Sequence, residues 1–200
     1  EFLPDRIEQM LSAFDADKYA AVSTTTFVQL SSNERILRNA DQGIFNVEDQ
    51  LHYNKIGNQV LTLTERLNNI GGFDENMPAF QDYDAWLRLS CSYGPILKID
   101  QPSYITHTEH ENRISSSSRK KEIGLQIFRE KHASLLNKGH NKSLRLLEMQ
   151  HSGNKVTLWG LLSVISASNW KPAISLYLDQ RMPSMAKRLR LLKAIMARGR

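Results

Sequence analysis

"GGFDENMPAFQDYDAWLRL", residues 71–89, decides how the rest of the chain is read. Gly71 and Gly72 allow backbone angles that side chains block, and they end a helical turn at "ERLNNI", residues 65–70. The spacing of Trp86, Leu87 and Leu89 predicts a helix over 83–93 that stops before "YGP". Asp82 and Asp84 stand at its entrance, where negative charge is favoured by about 0.3–1 kcal/mol. On spacing alone, that helix-start role accounts for both carboxylates. A calcium loop does not, because "DENMPAFQDYDAW" lacks alternating oxygen ligands, a central glycine and a terminal glutamate.

Upstream, "LPDRIEQMLSAF" sets Ile7, Met10, Leu11 and Phe14 on one helical face, with Pro4 and Asp5 suited to a helix start. "KYAAVSTTTFVQL" is β-branched and aromatic and reads as a strand, paired with "ERILRN" across the turn-forming "SSN". "NQVLTLT" predicts a short buried strand, and downstream "PILKIDQPSYITHT" resumes strand composition. Helix and strand therefore alternate to about residue 108, which predicts a layered α/β unit. Beyond Ser115 the texture is helical: Leu125, Phe128, His132 and Leu135 recur at helical spacing, and 143–150, 156–167 and 183–197 read as helices. The most apolar run, "VTLWGLLSVISA", falls short of the roughly 20 residues that span a bilayer.

The whole string narrows the function. Gly-Gly-Phe-Asp-Glu, a short loop, then Asp-aromatic-Asp-x-Trp-Leu-Arg-Leu resembles the acceptor-side signature of family 2 glycosyltransferases of the GT-A fold. "FLPDRIEQML" resembles the helix that follows the metal-binding Asp-x-Asp of that family, and "GNQVLTLTERLNNIGGFDE" the strand and turn before its acceptor loop. "PILKIDQPSYITHTEHENRIS" resembles the later strand and the histidine-bearing segment that closes over the diphosphate. The resemblance covers residues 1–118 and implies the acceptor-binding, C-terminal half of a GT-A-type layered α/β unit. Residues 119–200 follow as an all-helical extension without a comparable motif. The same resemblance implies that the chain starts just after the metal ligands, so that these 200 residues alone would be inactive. The uncovered edge or apolar face would then favour self-association.

The implied reaction is an inverting transfer of a sugar from a nucleotide-diphosphate donor to a saccharide or glycolipid acceptor, in surface polysaccharide assembly. Asp82 matches the family's catalytic position, the base that takes the acceptor hydroxyl's proton. Gly71, Gly72, Phe73 and Asp74 would line the acceptor pocket, and Trp86 would stack on a sugar face or serve as core. Gln81 stands where the family usually has Glu, dropping a charge beside the base. Arg88 is expected to pair with a nearby carboxylate. Arg113 suits a phosphate contact. His107 and His110, in "HTEH", are the candidates for a divalent magnesium or manganese site or for the diphosphate, against a plain surface role. That spacing is not the helical His-Glu-x-x-His of metalloproteases. "DAD" at 15–17 reads as a surface turn.

Charge and cysteine bound the setting. The formal charge is +5, yet residues 181–200 carry seven Lys or Arg and no acid, leaving −2 for the rest. A slightly acidic body without interleaved basic and aromatic motifs argues against a nucleic-acid partner. The tail, with Met185, Leu189, Leu192 and Met196 on one stripe over 183–198, suits either peripheral contact with an anionic membrane or packing on the body. A single cysteine, Cys91, excludes an internal disulfide framework. Together these imply a cytoplasmic protein working at the inner face of the membrane, with a non-catalytic interaction module on the same scaffold as the rival reading.

Overall fold

The computed structural model describes residues 1–31, 34–38, 41–107 and 117–185. By contacts the chain divides into two compact units, Glu1–Leu135 and Leu136–Arg200. The first is mixed α/β, as the alternation of elements implied.

Helix α1, Arg6–Ala13, leads to β1, Ala21–Thr24, and β2, Thr26–Ser31. The sequence reads these two strands as one, but they break at Thr25 and join different sheets. Strand β3, Glu34–Arg38, pairs antiparallel with β2, as expected across the "SSN" stretch, with an irregular register between Gln29 and Ser31. After β4, Gly43–Phe45, comes α2, Val47–His52, whose start is fixed by a capping box between Asn46 and Asp49. Then follow β5, Val60–Leu61, α3, Thr64–Asn69, and α4, Gln81–Tyr93. The "PILKIDQPSYITHT" stretch also divides, into β6, Ile96–Ile99, and β7, Ile105–His107.

One sheet has the order β4-β6-β1-β5 and the other β3-β2-β7. Within them β1 runs parallel to β6, Val22 opposite Leu97, and β2 runs parallel to β7, Phe27 opposite Ile105. The two segments 21–31 and 96–107 thus travel side by side through both sheets and bend together. At the bend Ser103 N–H donates to the Thr25 carbonyl and Phe27 N–H to that of Tyr104. Glu1–Leu3 pairs alongside, through Leu3 N–H to Ser103 O (2.9 Å) and Ile105 N–H to Glu1 O (2.8 Å).

The apolar side of the first sheet meets α4. Ala20, Ala21, Phe45, Ile56, Ala85, Trp86, Leu89 and Ile96 form one core, with Val60, Leu67, Ile70 and Tyr93 against it. Helix α1 corrects its expected stripe: Met10 is buried, but Ile7 and Leu11 are exposed and Phe14 lies beyond the helix end. Arg6 is buried in their stead, because its guanidinium has partners there: it donates to Thr24 and Ser103 and lies over the rings of Phe2 and Tyr104.

Helix α5, Ser118–Lys131, is capped by the Ser117 hydroxyl and buries Gly124, Leu125 and Phe128. It belongs to the first unit, which therefore continues past residue 118 to Leu135. In the second unit α6, Lys138–His151, contains the predicted helix at 143–150, while α7, Leu158–Val164, is shorter than the 156–167 expected. An unanticipated α8, Trp170–Arg181, follows. Leu146, Val156, Leu161, Val164 and Ala173 form this unit's core. Among the described residues no helix is long and apolar enough to cross a membrane. His110, Arg113 and all but the start of the basic tail lie outside the described residues.

Candidate functional site

The glycine pair behaves as a helix stop. Gly71 N–H bonds Asn68 O and Gly72 N–H bonds Leu67 O, each at 2.9 Å, the pattern that closes a helix with left-handed residues. Gly71 has φ +81° and Gly72 φ +65°, and a Cβ at either would meet nothing within 4 Å, so backbone angle rather than space demands glycine. Arg88 fixes the turn from α4 by donating to the carbonyls of Ile70 and Gly72. Phe73 comes off the turn half-exposed and meets Trp86 edge-on, ring centroids 5.6 Å apart.

Arg88 also reaches Asp84, at 2.7 Å from Nη2 and 2.8 Å from Nε, which fulfils the expected carboxylate pairing. Asp84 is fully buried, and α5 supplies its remaining partners: Lys131 Nζ lies 3.0 Å from Oδ2, and His132 Nε2, just past the helix end, 2.9 Å from Oδ1. Burial pushes the Asp84 carboxyl up, but hydrogen bonds from His132, Arg88 and Lys131 outweigh it and hold it well below the usual carboxylate range. Lys131 bonds Asp74 as well, at 2.8 Å, and holds that carboxyl low. Asp74, expected to line an acceptor pocket, therefore spends its charge on α5.

Asp82 differs from both. Among the described residues no cation pairs with it. It is half-buried in the first turn of α4, after Gln81, the helix's first residue, and Phe80, whose φ of +65° is left-handed without being glycine. Strain of this kind costs about 1–3 kcal/mol and gathers at functional positions. Burial raises the Asp82 carboxyl above its ordinary value, against hydrogen bonds from the Tyr83 N–H and from Asn54. Tyr83 N–H donates to Oδ1 at 2.8 Å, whereas Asn54 Nδ2 stands 3.4 Å from Oδ2. Oδ2 is thus the less engaged oxygen.

A loop at 54–58 braces this corner. Asn54 closes a turn on Gly57, accepting from its N–H at 3.0 Å, and the Gly57 carbonyl accepts from Trp86 Nε1 at 2.9 Å. Asn58 accepts from the hydroxyl of Tyr104, which is close enough to Asp82 to sense its charge. Asn58 and Trp86 also border a cleft of about 500 Å³ whose walls include Phe2, Ile7, Val60, Leu67 and Phe73. Asp82 is not in the lining of that cleft; its link to it is through Asn54, four residues before the lining residue Asn58. Trp86 itself is only 4% exposed, a core side chain whose rim reaches the cleft, which leaves no open face for a sugar to stack on.

His107 is not beside this corner's hydrogen bonds. It ends β7, exposed, with Nε2 3.5 Å from the Glu1 carboxylate. The pair offers one nitrogen and one oxygen donor, chemistry a divalent ion accepts, but two donors do not complete a coordination shell. Sequence reasoning missed Asn54, Lys131 and His132. An Asn three residues before a glycine is a turn signal that would have pointed to Asn54; helical spacing put His132 on the face of Leu125 and Phe128 without naming its partner, and nothing in spacing points to Lys131.

The chain is similar to the "Putative colanic acid biosynthesis glycosyl transferase WcaA" of Escherichia coli (strain K12), 34% identical over 119 residues, 59% of this chain. The chain covers 42% of that relative's length, less than half of it. No protein-family model matches the chain. No solved structure matches it either.

Proposed function

We propose that this chain is the acceptor side of an inverting glycosyltransferase of the GT-A kind, family 2. It moves a sugar from a nucleotide-diphosphate donor to a saccharide or glycolipid acceptor in surface polysaccharide assembly, on the cytoplasmic face of the membrane. The single observation that carries this reading is Asp82. Of the three aspartates Asp74, Asp82 and Asp84, two pair with cations, while Asp82 has no cation partner among the described residues, is half-buried and is more basic than usual. Similarity to a protein described as a glycosyl transferase supports it.

In this reading an acceptor hydroxyl approaches Asp82 Oδ2. As its oxygen bonds the anomeric carbon, its proton passes to the carboxylate and the bond from that carbon to the diphosphate oxygen breaks on the opposite face. A raised proton affinity suits the carboxylate for that transfer, and with Oδ1 held by the Tyr83 N–H, Oδ2 has only the long 3.4 Å contact from Asn54 to give up. The Arg88-held glycine turn places Phe73 at the cleft, where it offers an acceptor an apolar edge. A divalent ion, when bound, would offset the charge of the departing diphosphate. Glu1 and His107 would contribute donors to it, with His110 as a further candidate.

The test is Asp82→Asn in the whole protein, with release of nucleoside diphosphate as the readout. The expected loss in kcat is about 10²–10⁴-fold, the usual worth of a positioned base, with the fold intact by circular dichroism. A variant turning over within a factor of a few of the parent would leave an interaction module as the better account.

A further inference from the structure

The second unit leaves a large apolar surface facing water. Leu161 and Val164 of α7 enter the core, but Leu158, Trp159 and Leu162 of the same seven-residue helix remain exposed, Trp159 at 81%. Apart from Gly160 and Ser163 the helix is apolar, and only its inner side is filled. Helix α8 repeats the arrangement: Ala173 is buried while Trp170 and Ile174, one turn apart, are each more than 40% exposed. An exposed apolar set of this size on a described unit marks a surface that something covers.

Charge says what covers it. Residues 136–200 contain twelve Lys or Arg against two acids, Glu148 and Asp179, a formal charge of +10, whereas residues 1–135 sum to −5. In sequence Lys155 precedes α7, Lys171 follows Trp170 and Arg181 ends α8, and Lys171 Nζ lies 5.5 Å from the ring of Trp170. Pairing this surface with the same surface of a second copy would bring two units of +10 together, which self-repulsion opposes. An anionic lipid surface meets both features at once: phosphates for the basic residues and an interfacial zone for the tryptophans, whose rings favour that depth. Helices of 7 and 12 residues lie on a bilayer rather than cross it.

We infer that the exposed α7–α8 surface, with Trp159 and Trp170 as its anchors, docks the protein onto an anionic phospholipid membrane. Nothing in this surface involves Asp82, so it stands apart from the transfer chemistry.

The chain's three tryptophans make the test direct. Trp86 is buried in the first unit, so a change in emission on adding vesicles reports on Trp159 and Trp170. The 200-residue chain is expected to sediment with vesicles containing phosphatidylglycerol and not with pure phosphatidylcholine, its emission shifting to the blue and quenched by brominated lipid. Trp159→Ala is expected to lower vesicle affinity about tenfold, and Trp159→Ala with Trp170→Ala to lower it further, with far-ultraviolet dichroism unchanged. Trp159 is almost wholly in solvent, so its loss leaves the core intact. Three results each overturn the inference: vesicle binding by the double variant as tight as the parent's, which would assign it to the tail alone; equal binding to neutral vesicles; or concentration-dependent self-association with no lipid binding.

Discussion

Asp84→Asn removes one charge from the most heavily engaged carboxylate in the chain and changes almost nothing in shape. In the parent, Oδ2 receives Arg88 Nη2 at 2.7 Å and Lys131 Nζ at 3.0 Å, while Oδ1 faces His132 Nε2 at 2.9 Å. An amide keeps one oxygen and turns a second donor toward groups that are themselves donors. Breaking a buried ion pair by removing one partner costs about 3–5 kcal/mol. Arg88 and Lys131 keep 18% and 31% of their side chains in solvent and can partly rehydrate, which sets the cost near the lower end, about 3 kcal/mol. For chains of this size that lowers Tm by about 6–12 °C at pH 7. The pH dependence is the sharper check. The folded carboxyl is held below its unfolded value of about 3.9, so its contribution is complete above that pH and is lost as pH falls through the depressed folded value. Melting curves followed by circular dichroism from pH 7 down to pH ~3 should therefore show the gap between parent and variant constant at first and beginning to close below about pH 4. A Tm change smaller than about 2 °C at neutral pH, or a gap that stays constant across the series, would refute the account of this cluster.

Asp82→Asn carries the opposite sign. Burial raises that carboxyl in the folded state, so its ionisation is a cost present above the folded value and relieved as pH falls through it. The variant is expected to melt above the parent at pH 7 and level with it in acid, measured by the same scans. Gly124→Ala sets two effects against each other: helix propensity favours alanine by about 1 kcal/mol, but the new Cβ would stand 2.5 Å from the backbone oxygen of Ala79. Backbone cannot yield cheaply, so the net effect is expected to be a loss of about 1–3 kcal/mol in urea unfolding, and a stabilised variant would show that α5 does not press on that loop.

The helix at 81–93 was legible because turn, acids and apolar spacing agree in one short stretch, and the role of Arg88 followed from the nearest available carboxylate. The division of "KYAAVSTTTFVQL" was not. β-branched residues favour extended backbone without naming the partner strand, and the bend at Thr25 is set by Ser103 and Tyr104, far along the chain. Arg6 defeated the reading of α1 for a similar reason. Its neighbours Ile7 and Leu11 look like core, and only Ser103, 97 residues away, reveals why the arginine goes inward. At the candidate site the glycine angles were readable from residue type. The allocation of charges was not, since Lys131 reaches Asp74 and Asp84 across 57 and 47 residues, leaving Asp82 alone only once the fold has formed.

Helix α5 gives that allocation a practical edge. Phe128 stacks on Tyr83 with ring centroids 4.3 Å apart, on the same two helices that Asp84, Lys131 and His132 join. Trimming the chain at residue 118 would keep every residue of the recognisable string and still uncover an aromatic ring and strip two of the three partners from the buried Asp84 carboxylate, leaving it Arg88 alone. The shortest piece that carries the signature is therefore not the shortest piece that can hold its shape, and anyone dissecting this protein should cut no earlier than Leu135.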